Sequence, residues 1–137
     1  MNRRKDARKA VATLIRNNID TFEVVYDYQT LNFGPLTPVA MVYSDGTALF
    51  ARTLDGHSDR CHALLIDMWW EWGPGVEDAL DDLSQAVLNL FAANQETTDW
   101  SNLLVDQDLP NFSRMAYSST EVNGKVYRRE IVRIVVE

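Results

Sequence analysis

Cys61 and His62 are adjacent side chains that could supply a nucleophile and its base. Such a pair works only within hydrogen-bond reach. Both fall at the start of a strand-like run, residues 60–72, where neighbours point to opposite sides of a sheet and cannot meet. Cys61 therefore reads as a small packed residue and His62 as a strand-face residue. His57, Asp59 and His62 gather near a turn but lack the spacing of an established metal-ligand set, so no metal is expected there. The sequence contains no glycine-rich phosphate loop, no dinucleotide fingerprint, no G-x-S-x-G elbow and no H-E-x-x-H helix. No catalytic, cofactor-binding or metal residue is nominated, and an enzyme is the disfavoured class.

The carboxylate pairs Glu77/Asp81 and Asp78/Asp82 are i, i+4 neighbours, a spacing that costs about a few tenths of a kcal/mol per pair through repulsion. Glu77 and Asp78 recover part of that cost from the positive end of the helix they open. Two readings stand: a solvated face, or an acidic strip that docks bases of another subunit. The first helix supplies such bases in Arg3, Arg4, Lys5, Arg8 and Lys9. Further bases lie near the C-terminus, among them Arg128 and Arg129, which strand alternation sends to opposite faces. Trp70 and Trp72 fall on the core face of their strand. Trp69 points the other way, as an assembly contact or as plain packing.

Helical spacing of Ala7, Ala10, Val11, Leu14, Ile15 and Ile19 predicts a first helix over 3–17. β-Branched and aromatic residues predict strands at 22–28 and 39–43, the latter starting just after Pro38. A returning strand at 47–53 is expected after the Asp45-Gly46 turn. The run 60–72 is the clearest strand, Gly73-Pro74-Gly75 ends it, and the period of Val76, Leu80, Leu83, Val87 and Phe91 carries a second helix to 93. Residues 94–111 read as irregular, with Trp100 and Leu103-Leu104-Val105 as anchors. Asn123-Gly124 is a strong two-residue hairpin signal between strands at 112–121 and 126–136. The sum is an α+β fold: an antiparallel or mixed sheet of about five or six strands with two amphipathic helices on one face. Its other face is expected to leave Leu65, Trp69, Ile131 and Val135 as an apolar patch that needs a partner.

At 137 residues and 46% hydrophobic content the chain fits one globular domain, 1–137. No apolar run reaches the ~20 residues of a membrane helix, and the basic start lacks the apolar core of a secretory signal. One cysteine fits a reducing compartment. The net charge of −7 argues against gripping nucleic-acid phosphates as a main task. Charge is also segregated: residues 1–16 carry +5 and residues 55–108 carry −11. Such opposed regions suit a protein that docks onto copies of itself or onto a charged partner.

The order of elements resembles the tail terminator proteins of long-tailed bacteriophages, including the minor tail protein U type. The matching features are the helix around Ala7 to Ile15, the proline-led strand Thr37-Pro38-Val39-Ala40-Met41-Val42-Tyr43, and the long aromatic-ending strand from His62 to Trp72. The single acidic helix from Val76 to Phe91 and a terminal hairpin ending Ile131-Val132-Arg133-Ile134-Val135-Val136 complete the likeness. The resemblance implies a structural virion protein at the head-proximal end of the tail, assembled in the host cytoplasm. Its copies would form a homohexameric ring that caps the tail tube protein, stops polymerisation and meets the head connector or stopper protein, with DNA passing through the lumen without specific binding. It implies no cofactor, no membrane and no catalytic residue. The interface candidates are Arg3, Arg4, Lys5, Arg8, Lys9, Trp69, Glu77, Asp78, Asp81, Asp82, Arg128 and Arg129, with the loop 31–36 and the turn 54–59 as partner-binding or lumen-facing elements. The alternatives are a head-completion or adaptor protein of the neck and a small cellular ligand-binding α+β protein.

Overall fold

The computed structural model describes residues 3–44, 62–100, 103–105 and 115–136, with the side chains of Arg3, Leu104, Val105 and 115–120 excepted. Helix α1 (Arg3–Asn18) precedes strands β1 (Val24–Tyr26), β2 (Val39–Ser44) and β3 (His62–Glu71). Helix α2 (Val76–Ala93) follows, then β4 (Leu103–Val105), β5 (Met115–Val122) and β6 (Lys125–Val136). The expected strand at 47–53, the turn 54–59 with His57 and Asp59, and Cys61 lie outside the described residues.

The six strands form one mixed sheet in the order β1-β2-β3-β6-β4, with β5 also paired to β6. Strand β6 carries β3 along one edge and shares its other edge between β5, against its first half, and β4, against its last three residues. Among the described strand pairs only β1 and β2 run parallel. Parallel neighbours need a crossover of about a dozen residues, and residues 27–38 provide it without a helix. Asn123 and Gly124, at φ 51° and 80°, make the β5–β6 turn. Positive φ at both positions is what a two-residue turn matched to strand twist demands, and this dipeptide accepts it.

Both helices cover one face. α1 lies over β1 and β2, whereas α2 lies over β6 and β4, so they occupy opposite lateral halves of the layer. The cluster beneath them takes alternate residues of the central strands, Ala40 and Val42, Leu64, Ile66 and Met68, Val132 and Ile134, against Val11, Ile15, Leu80, Leu83, Val87 and Phe91. The anchors expected in 94–111 hold: Trp100 and Leu103 are buried in this cluster, and Leu103 opens a short strand that the apolar triplet alone did not distinguish from a loop.

The opposite face differs from expectation. Phe33 descends from the 27–38 crossover and packs with Val39, Met41, Trp69 and Tyr127 into a second core. Ile131 and Val135 are buried as well, and Leu65 is half-buried. Trp69, nominated as an interface candidate, is sealed inside the chain at 2% exposure. Its counterpart Trp72, placed on the core face, is 53% exposed because β3 ends at Glu71 and α2 does not begin until Val76. Alternation gave the side each indole faces. It did not say how far each cover extends.

Candidate interaction surface

The most ordered polar cluster sits on the crossover-covered face. Asp67 is a carboxylate in the middle of the apolar strand β3, with its side chain 1% exposed. Arg129 of β6 grips it with both arms, Nε donating to Oδ1 at 2.9 Å and Nη2 to Oδ2 at 2.7 Å. The Tyr43 hydroxyl, from β2, donates to Oδ2 at 2.8 Å. A bidentate guanidinium holds a carboxylate in one orientation as well as neutralising it. The guanidinium also lies 4.8 Å above the Trp69 ring. Trp69, Tyr127 and Phe33 then pack edge-on or tilted, with ring centroids 5.5 to 5.8 Å apart. The cluster ties β2, β3, β6 and the crossover together.

Its electrostatics are those of a closed structural lock. Burial first, and the Asp67 charge next, push the Tyr43 phenol up to about 12 from its usual 10.0. The Asp67 hydrogen bond holds the Arg129 guanidinium protonated more firmly still. Asp67 accepts three hydrogen bonds and its side chain is almost fully closed off from solvent. The neutral phenol is favoured in the fold, so the stability it provides is complete below pH 10 and is lost as the pH climbs through about 12. An ultraviolet alkaline titration should therefore show a late-ionising component from Tyr43. That component should vanish in Tyr43→Phe, and a titration unchanged by the substitution would contradict the assignment.

The helix layer carries the candidate surface. On α1, Arg4, Lys5 and Lys9 are exposed and Arg8 is half-buried, while the Arg3 side chain lies outside the described residues. On α2, Glu77, Asp78, Asp81 and Asp82 are all exposed, with no base in its last turn. Basic and acidic flanks thus stand on opposite halves of one molecule. Several candidates already have partners in the chain. Lys9 reaches Asp27 at 3.0 Å, and that hydrogen bond is the main cause holding the Asp27 carboxyl below its usual pKa. Arg128 pairs with Glu77 and stacks 4.9 Å over Trp72. Arg129 belongs to the inner lock, so it joins Trp69 as a nominated contact that the fold consumes internally. Arg8 and Glu77 remain at the surface and Trp69 does not, while the Arg128 and Arg129 side chains are both largely covered, at 13% and 26% exposure.

The 31–36 loop is both anchor and surface, since Phe33 is buried while Leu31 and Leu36 are exposed. Sequence reasoning saw the loop and missed the plug. Asp67 and Tyr43 were also missed as functional in the fold; the available signal was an acid on the odd face of a strand otherwise apolar. Two grooves flank α1: one of about 300 Å3 beside Arg16, Asp20 and Glu23, the other of about 370 Å3 against Thr97, Asp99 and Trp100. Both open widely to solvent, unlike the deep apolar pocket expected of a small-ligand binder. Among the described residues no three metal-ligating side chains converge, and no helix is long and apolar enough to cross a membrane. No family model matches the chain, and no curated protein matches it.

Proposed function

We propose that this chain is a tail terminator of a long-tailed bacteriophage, six copies of which close into a ring that caps the tail tube and joins it to the head connector. The observation that carries the reading is the helix layer, basic over β1–β2 and acidic over β6–β4. Where a copy meets the next through one flank only, opposite flanks attract and like flanks repel, which favours head-to-tail contacts; such contacts close into rings when the rotation permits. The sequence resemblance supplies the ring's place on the tail. An acidic protein with net charge −7 suits a channel through which DNA slides, because its wall does not hold phosphates.

Electron microscopy of the full chain mixed with tail tubes should show rings seated at one tube end, and tubes that no longer grow. Reversing Asp78, Asp81 and Asp82 to lysine should weaken ring formation at least about tenfold by light scattering, with the same loss for Arg4→Glu with Lys5→Glu. Combining the two sets should restore it. Association should also weaken with salt, as exposed pairs beyond about 10 Å are screened at 0.1 M. A chain that stays monomeric beside tubes at low salt overturns the reading.

A further inference from the structure

We draw no further inference here: the strongest candidate, the exposed apolar patch of Trp72 and Val126 at the end of β3 and the start of β6, carries both signs of charge in Glu71, Glu77, Lys125 and Arg128, and nothing in the structure shows what covers it.

Discussion

Asp67→Asn is expected to lower the unfolding free energy by about 3 kcal/mol, measured by urea denaturation at neutral pH. Removing one partner of a buried ion pair costs about 3–5 kcal/mol because the other charge stays buried without compensation. The low end applies because the Arg129 side chain keeps 26% exposure and can recover some hydration. Asparagine preserves the shape but offers one acceptor oxygen where two guanidinium nitrogens and the Tyr43 hydroxyl now donate. The cost should therefore come from charge and hydrogen bonding and not from a cavity. A variant with Asp67→Leu, Arg129→Met and Tyr43→Phe together separates the two, since replacing a whole buried pair by apolar groups is often close to neutral. It should recover most of the loss. If Asp67→Asn proves as stable as the parent, Asp67 is not the keystone of that face.

Why the lock escaped sequence reasoning is plain from its spacing. Asp67 and Arg129 are 62 positions apart and Tyr43 and Asp67 are 24 apart, and only strand pairing brings them together. β2 and β6 both flank β3, so Tyr43 and Arg129 converge on Asp67 from either side. The elements themselves were legible wherever a local rule governs them. α2 spans residues 76–93 as the period of Val76, Leu80, Leu83 and Val87 requires, and α1 runs one residue beyond its expected end. Asn123-Gly124 made the expected turn because its φ preference is intrinsic. What failed to show was how far each layer reaches. Trp69, which sequence left open between assembly contact and plain packing, is covered, and Trp72, expected on the core face, is open just past the end of β3. The parallel pairing of β1 with β2 was hidden for a related reason. Its crossover has no helix, so residues 27–38 look like an ordinary loop. On the surface, the charge segregation visible in sequence survives as two flanks, whereas the members with buried or local partners could not be separated from the rest by type alone.

Phe33→Ala should cost about 3 kcal/mol, the lower end for a buried phenylalanine truncated in a core. Phe33 is 3% exposed and contributes ring contacts at 5.7 Å to Trp69 and 5.5 Å to Tyr127, each worth about 0.5–1.5 kcal/mol beyond burial. The crossover 27–38 is a strap at the surface, so it can sag into the vacated space and limit the loss. Its consequences are local as well as global. β1 is three residues long and among the described strands pairs with β2 alone, and the strap is the chain that joins them. Hydrogen exchange should then show the Asn32 and Leu36 amides, which donate to the Thr30 hydroxyl and the Phe33 carbonyl, losing protection well before those of α2, because a segment with few remaining apolar contacts opens below the global unfolding energy. Phe33→Leu, which keeps most of the buried area, should retain most of that protection. Strap amides that stay protected in Phe33→Ala would mean that Asp27, paired with Lys9, and Thr37, which accepts the Glu71 N–H, hold the two ends of the strap without the plug.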